Sequence, residues 1–253
     1  MSQAEIVKSR IVGVGAISRQ ESRPMQTITT FAWSSSPVCI VEDVELQAEL
    51  DPRLVLLRAP GSAQARSYRL LQHRVFEKNA PRVVAVTSAE PGEGKTTCAA
   101  NLALAFAEGT LSRVLLIDAN LARPGVADLF GFEPSDSFMT KLLRNEDSAP
   151  PHLVASVGGS SLQLAALQSS VVHGRRLDRV LLAEVLRSLR SAYDYIVIDT
   201  ASVLESADVN SVSQCSDAVV IAARAGKSRK SRLRRAFEQL QPANVVGTAL
   251  IDC

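Results

Sequence analysis

The stretch VVAVTSAEPGEGKTTCAANLALA, residues 83–105, joins a segment typical of a buried β-strand to a segment typical of an α-helix. Residues Val83–Thr87 are β-branched or small and mostly apolar, which predicts a short buried strand. Apolar side chains then recur at helical spacing over Thr97–Glu108, and Gly109 ends that pattern. The glycine-containing turn between them therefore connects a strand to a helix.

This strand, turn and helix arrangement is what a phosphate-binding loop needs. Glycines allow the backbone N–H groups to converge, the helix N-terminus adds a positive dipole, and a lysine and a threonine can reach phosphates and magnesium. A glycine-rich turn also occurs by chance, and the strict motif begins with Gly where this chain has Ala89. The flanking strand and helix favour the phosphate loop. We predict that it binds ATP through Pro91, Gly92, Glu93, Gly94, Lys95, Thr96 and Thr97.

Two further strand-like segments end on a carboxylate. RVLLID ends on Asp118, and YDYIVID ends on Asp199. A carboxylate at the end of a buried strand is costly unless it faces a cation or ordered water, although a solvated turn residue is the simpler alternative. With a phosphate loop in the same sheet, the magnesium site is favoured, and we predict that Thr96, Asp118 and Asp199 hold Mg²⁺.

Length and composition are compatible with one α/β core. The chain has 253 residues, is 46% hydrophobic and carries a net charge of +2, so no global affinity for polyanions is indicated. The four cysteines form no CxxC pair, which favours a reducing compartment and no structural metal. No apolar run approaches the roughly 18–20 residues that span a bilayer, and no signal peptide is recognisable. We therefore expect a cytoplasmic protein.

Strand-like and helix-like segments alternate along the chain, which predicts an α/β fold with a mostly parallel sheet and helices on both faces. The predicted strands are Val83–Thr87, Val114–Asp118, Tyr195–Asp199, Ala218–Ala222 and Val245–Ile251, with a weaker candidate at Leu162–Leu167. The predicted helices are Thr97–Glu108, Arg176–Ser191 and Ser231–Gln241. Residues 1–45 show no sustained period and are expected to form a poorly ordered or partner-dependent arm, so that the nucleotide-binding domain covers residues 46–253.

A basic run, GKSRKSRLRR, occupies residues 226–235. Leu233, Phe237 and Leu240 give its helix an apolar stripe, so its cations are explained by a solvated helix face. However, they crowd the start of a helix, where the dipole disfavours positive charge. Contact of residues 227–235 with an anionic membrane, nucleic acid or an acidic partner segment is therefore the less favoured alternative.

Four stretches resemble, in order and spacing, the cytoplasmic tyrosine kinases of bacterial capsule and exopolysaccharide export. They are AEPGEGKTTCAANLA, LLIDANLARPGVADLFG, SDSFMTKLLRNE and YDYIVIDTASV, and the closing ANVVGTALID fits as well. The resemblance covers residues 45–253. It implies a deviant P-loop ATPase fold, an ATP–Mg²⁺ site and association with a membrane-spanning polysaccharide chain-length regulator. It also implies a position at the inner face of the membrane through that partner, and self-association of the kinase into a homo-oligomer.

The resemblance also assigns roles to the predicted site residues. Lys95 would hold the β- and γ-phosphates, and Thr96 would ligate magnesium. Asp199 would bind the metal through water, and Asp118 would be the base or orienting group for an incoming hydroxyl. Lys95, Asp118 and Asp199 are thus the implied catalytic residues, in a reaction that depends on positioning and charge neutralisation.

The chain departs from the family pattern at several of these motifs. The second motif is usually Asp-x-Asp-x-Arg, whereas Asn120 and Ala122 stand at its second and third places. Asn120 still offers a hydrogen-bonding group to a metal-bound water, so it is counted with the nucleotide site, but it adds no charge. Ala201 and Ser202 replace two prolines after Walker B, and Asp252 stands where an asparagine reads adenine.

The segments linked to self-association and self-phosphorylation depart further. The motif Glu-x-x-Arg-x-x-Arg is represented by Arg66, Arg69 and Gln72, so only the central arginine is kept. A tyrosine-rich tail is missing from the sequence, and we expect no self-phosphorylation on such a tail. The chain's tyrosines are Tyr68, Tyr193 and Tyr195.

Three functions follow as hypotheses. The first is a protein-tyrosine kinase that regulates polysaccharide polymerisation and export, and that either acts on a partner or is only weakly active. The second is a nucleotide-switched ATPase or adaptor for the exporter that does not phosphorylate protein. The third is a partitioning-type ATPase, which ranks last because such proteins carry a second lysine where this chain has Glu90, whose charge would repel a neighbour's γ-phosphate.

Overall fold

An eight-stranded sheet runs through the described part of the computed structural model, which comprises residues 38–44, 50–108, 112–134, 138–144, 152–167 and 176–252. The strands are β1 (Val38–Val44), β2 (Val83–Ser88), β3 (Val114–Ala119), β4 (His152–Val157), β5 (Leu162–Ala165), β6 (Tyr195–Ser202), β7 (Ala218–Arg224) and β8 (Val245–Ile251). The helices are α1 (Val55–Arg58), α2 (Ala63–Phe76), α3 (Lys95–Ala107), α4 (Val126–Phe130), α5 (Phe138–Arg144), α6 (Arg179–Leu189), α7 (Asp208–Cys215) and α8 (Lys230–Leu240).

The strand order is β1-β4-β5-β3-β6-β2-β7-β8, and every described pair is parallel except β4 with β5. β2 lies inside the sheet, between β6 and β7, and all six of its residues are buried. Its side chains alternate between two cores: Val83 and Ala85 face the core that includes α5–α8, and Val84 and Val86 face the core that includes α1–α4. The predicted α/β fold with helices on both faces is confirmed.

The element bounds differ from the predicted ones where the backbone conformation or a hydrogen bond at the helix start decides them. α3 begins at Lys95 rather than at Thr97, because Gly94 supplies a left-handed N-cap with φ 87°. α6 begins only at Arg179, because the Asp178 side chain accepts hydrogen bonds from the N–H groups of Val180 and Leu181. The weak strand candidate at Leu162–Leu167 is the shorter β5, which ends at Ala165.

The predicted N-terminal arm differs from the structure at residues 38–44, which form β1 rather than a poorly ordered segment. β1 pairs in parallel with β4, with Val38 opposite His152, and Val44 is buried. A parallel partner that lies so far downstream leaves no hairpin signal in the local sequence, so the strand was not predicted. The rest of the arm, residues 1–37 and 45, lies outside the described residues.

The segment before β2 packs onto α3 through a buried amide. Asn101, on α3, is fully buried, and its Nδ2 donates hydrogen bonds to the carbonyls of Arg53 at 2.7 Å and Thr97 at 2.9 Å. Its Oδ1 accepts from the N–H of Leu56 at 3.3 Å. These hydrogen bonds tie α3 to the segment that contains α1.

Candidate functional site

Three predicted motifs meet at the carboxyl edge of the sheet, because β3, β6 and β2 are neighbours in the order given above. The glycine-containing loop follows β2, and Asp118 on β3 lies opposite Asp199 on β6 in the register of that pair. Parallel strands bring their carboxyl ends to one edge, which is where ligands bind in such sheets. The sequence-predicted loop and carboxylates are therefore brought together.

The loop has the backbone shape that a phosphate site requires. Gly92 and Gly94 have φ values of 73° and 87°, in the left-handed region that favours glycine. A Cβ on Gly94 would also lie 3.3 Å from Cγ1 of Ile251. Both the backbone conformation and the space at this position therefore favour glycine. Lys95 and Thr96 then occupy the first turn of α3, and Lys95 is 91% buried. The loop thus directs a helix N-terminus and a lysine toward the two carboxylates.

Thr96 and Asp199 are in direct contact. The Thr96 hydroxyl donates to Asp199 Oδ2 at 2.7 Å, and Asp199 is completely buried. Asp199 Oδ1 is buried without a hydrogen-bond partner in the described part of the chain. A buried carboxylate oxygen left in this way is costly, and a water held by a metal would satisfy it. The pair therefore fits a hard cation such as Mg²⁺, which binds through few carboxylates and keeps several waters.

The electrostatics of this pair agree with that fit. Burial raises the pKa of the Asp199 carboxyl well above its ordinary value, and the neighbouring charge of Asp118 raises it further. The positive charge of Lys95 and the Thr96 hydroxyl act in the opposite direction without cancelling the effect. A divalent cation at this position would favour the ionised carboxylate.

Asp118 is held by the backbone of the turn that follows β3. Its oxygens accept hydrogen bonds from the N–H groups of Asn120 at 3.0 Å, Gly125 at 2.9 Å and Val126 at 3.0 Å. Burial raises the pKa of this carboxyl, although the three N–H groups and Lys95 lower it in part. A Cβ on Gly125 would lie 3.4 Å from Thr96 Cγ2, so the turn packs against the loop helix. Asp118 thus orients the turn beside Thr96.

Asn120 uses its side chain to close its own turn. Its Nδ2 donates to the Arg123 carbonyl at 2.6 Å, its Oδ1 accepts from the Arg123 N–H at 3.4 Å, and the residue is 2% exposed. An aspartate could not donate the first of these bonds. Asn120 therefore has a local structural partner at the position where the family pattern has a second carboxylate.

The remaining loop residues form hydrogen bonds with other parts of the protein. The Glu93 carboxylate is buried and accepts from the N–H of Glu90 at 2.8 Å and from the Ser228 hydroxyl. The Pro91 carbonyl accepts from Lys227 Nζ at 3.1 Å, and the Thr97 carbonyl accepts from Asn101 as described above.

The start of the basic run lies against this loop, which the sequence did not reveal. Besides Lys227 and Ser228, Arg232 forms an ion pair with Glu90, Nε to Oε1, at 3.4 Å. A solvated face is therefore an incomplete description of residues 227–235. The run follows β7, and only the strand order, which places β7 beside β2, would have predicted the contact.

Comparison with known proteins agrees with this geometry. A family model described as an AAA domain matches residues 81–231. Tyrosine-protein kinase YwqD of Bacillus subtilis (strain 168) is 30% identical over 199 residues, which cover 76% of this chain and 82% of the relative. The chain belongs to the bacterial tyrosine-kinase family of P-loop ATPases. Tyrosine-protein kinase CpsD of Streptococcus pneumoniae is another relative, 28% identical over 63% of this chain and 70% of its own length.

Solved kinase domains of this family share the fold. The VpsO kinase domain has a TM-score of 0.61 and 30% identity, and the match covers 80% of this chain and 98% of that one. The kinase domain of Escherichia coli tyrosine kinase ETK has a TM-score of 0.63 at 19% identity, covering 81% and 82% of the two chains, which shows the fold alone. Larger relatives also occur: the chain spans 26% of the succinoglycan biosynthesis transport protein ExoP of Rhizobium meliloti (strain 1021), at 28% identity and 78% coverage of this chain.

Among the described residues, no helix combines the length and the apolar character that crossing a membrane requires.

Proposed function

We propose that this protein binds ATP–Mg²⁺ at residues 89–97 and transfers the γ-phosphoryl group to protein tyrosine, as a regulator of capsular or exopolysaccharide polymerisation and export. The observation that carries the proposal is the contact of Thr96 with Asp199 beside the N-terminus of α3. Asp199 Oδ1, which has no hydrogen-bond partner among the described residues, supports a metal-bound water at the same place. Family membership supports the kinase chemistry.

Each of the site residues would have a separate task. Lys95 and the N–H groups at the start of α3 would bind the phosphates, and Thr96 with Asp199 would hold the cation, Asp199 through water. The bound Mg²⁺ supplies neutralisation of the charge that develops on the phosphoryl oxygens. Asp118, with its position fixed by three N–H groups, would orient the acceptor hydroxyl, and its raised pKa makes it a better proton acceptor near neutral pH.

The second candidate is a nucleotide-switched ATPase or adaptor that serves the exporter without phosphorylating protein. It is favoured by Asn120, which brings no charge to the site and has its amide committed to Arg123. A partitioning-type ATPase ranks third, because Glu90 stands at the place of the second lysine and is paired with Arg232 of the same chain.

A membrane-spanning chain-length regulator is the proposed partner, and the inner face of the membrane is the proposed location. The match to part of ExoP, a protein named for polysaccharide transport, supports such a partnership. Self-association through a second copy stays a prediction.

Nucleotide titration tests ATP binding directly. Lys95→Ala should abolish calorimetrically detectable ATP–Mg²⁺ binding, while circular dichroism should show that the nucleotide-free variant still folds. Lys78→Ala is the matched control, because Lys78 is exposed after α2 and makes no side-chain contact with the loop in the described residues. Equal ATP affinity in wild type and the Lys95 variant would remove the proposal.

Incubation with labelled ATP and the purified membrane partner separates the two leading candidates. Phosphotyrosine on the partner supports the kinase. Release of inorganic phosphate without phosphotyrosine supports the switch.

A further inference from the structure

The segment between β7 and α8, residues 225–229, is hydrogen-bonded to the outside of the phosphate loop. Lys227 Nζ donates to the carbonyl of Pro91 at 3.1 Å and to the carbonyl of Gly92 at 3.2 Å. These are consecutive residues, so one ammonium group holds two successive carbonyls of the loop. Lys227 itself is exposed and buries little surface in doing so.

A second contact fixes the same segment to the loop. The Ser228 hydroxyl accepts from the Arg224 N–H at 2.8 Å and donates to the buried Glu93 carboxylate. Glu93 in turn accepts from the N–H of Glu90 at 2.8 Å. The carboxylate therefore joins the beginning of the loop to the end of β7, and Lys227 lies beside this junction at a fixed place.

Because the peptide bond is planar, the Lys227 contacts also fix the direction of the neighbouring N–H groups. In a trans peptide, the carbonyl of one residue points opposite to the N–H of the next residue. Holding the carbonyls of Pro91 and Gly92 toward Lys227 therefore turns the N–H groups of Gly92 and Glu93 away from it. N–H groups of such a loop are what bind phosphate oxygens.

We propose that Lys227 is a positioning residue of the nucleotide site, which aims the Gly92 and Glu93 N–H groups by holding the carbonyls behind them. This rests on the proposed function of ATP binding. Lys227 acts on the phosphates indirectly, through the loop backbone, whereas the Lys95 side chain would bind them directly. Gly92 is adapted to this contact, because a Cβ at that position would lie 2.5 Å from Lys227 Nζ.

Three variants test the proposal by calorimetry with ATP–Mg²⁺. Lys227→Met should weaken binding about tenfold, since two charge-assisted hydrogen bonds to phosphate lose their alignment. Lys227→Arg should recover at least part of that loss, because a guanidinium can also donate to both carbonyls. Lys230→Met is the matched control: Lys230 is exposed at the start of α8 and makes no side-chain hydrogen bond to the loop in the described residues, so its affinity should equal that of the wild type.

Hydrogen exchange of the nucleotide-free protein supplies a readout that does not depend on ATP binding. Lys227→Met should accelerate amide exchange in a peptide covering residues 89–97 while leaving the melting temperature unchanged. Wild-type affinity in Lys227→Met, an equal loss in Lys230→Met, or no recovery in Lys227→Arg would overturn the proposal, as would unchanged exchange in the loop. If the wild type does not bind ATP, the proposed function fails while the exchange experiment still decides the positioning of the loop.

Discussion

Replacing Asp199 with Asn should stabilise the metal-free protein at neutral pH. The wild-type carboxylate is completely buried, one of its oxygens has no partner in the described residues, and Asp118 adds a second negative charge nearby. Asparagine keeps an oxygen that can accept the Thr96 hydroxyl, and at neutral pH it requires neither a buried charge nor a retained proton. The substitution therefore isolates the free energy that the protein stores at this carboxylate when no cation is bound.

The magnitude and its pH dependence follow from the raised pKa of Asp199. Above the ordinary value of 3.8, the unfolded chain has lost this proton whereas the folded protein still holds it, so wild-type stability falls as pH rises. The fall is at most about 1.4 kcal/mol per pH unit and levels off above the folded-state pKa. Coupling to Asp118 reduces it. We expect the stability gain of Asp199→Asn to be about 1–3 kcal/mol larger at pH 7 than at pH 5.

Thermal unfolding of nucleotide-free, chelator-treated protein measures this gain. The difference in melting temperature between variant and wild type should widen by about 2–10 °C from pH 5 to pH 7. Asp43→Asn, the same chemical change at an exposed position on β1, is the matched control and should not raise the melting temperature. Adding ATP–Mg²⁺ should raise the melting temperature of the wild type more than that of Asp199→Asn. A gain that is absent, or equal at both pH values, would refute a buried and uncompensated carboxylate.

Three further changes probe other parts of the molecule. Asn120→Asp should raise phosphoryl transfer or ATP hydrolysis several-fold with little change in ATP affinity. It should also lower stability by about 1 kcal/mol, because the hydrogen-bond donor to the Arg123 carbonyl is lost. Unchanged turnover would mean that the side chain at position 120 stays out of the site. Asp217→Asn should lower the free energy of unfolding by about 1 kcal/mol at pH 7, an amount kept small because the ion pair of this carboxylate is partly exposed. Burial alone would raise the pKa of Asp217, but hydrogen bonds hold this pKa below 3.8. Urea titrations should therefore show that the difference in unfolding free energy between wild type and Asp217→Asn shrinks as pH falls through that lower value. Changing the exposed Arg234 and Arg235 to Gln should weaken any binding to anionic vesicles or DNA and flatten its salt dependence; vesicle and DNA titrations that respond to neither salt nor substitution would leave these arginines as a solvated helix face.

The sequence predicted the central strands and the phosphate loop because their signals are local. The apolar run of β2, the glycines and the spacing of α3 lie within residues 83–107, and the carboxylates end recognisable strands. The convergence of these motifs then follows from the parallel arrangement alone.

The contacts that complete the site were not predictable in the same way. Lys227 meets the loop only because β7 lies beside β2, and β1 exists only because β4 offers it an edge. The sequence around Asp118 did not predict its three N–H partners, because the conformation of the turn after β3 determines them. Strand order and turn conformation depend on packing across the whole chain, which no local pattern encodes.

The position of β2 inside the sheet has a consequence for the order in which the protein folds. Both neighbours of β2 come much later in the chain: Val83 lies opposite Ile196 on β6, and Val84 lies opposite Ala218 on β7. A ribosome that has just completed α3 has therefore produced a strand that the finished sheet buries completely, with neither of its partners. Long-range parallel pairing of this kind is slow and leaves strand edges open to aggregation meanwhile. A fragment that ends before Ala218 would keep every residue of the phosphate loop and yet leave β2 as an uncovered edge.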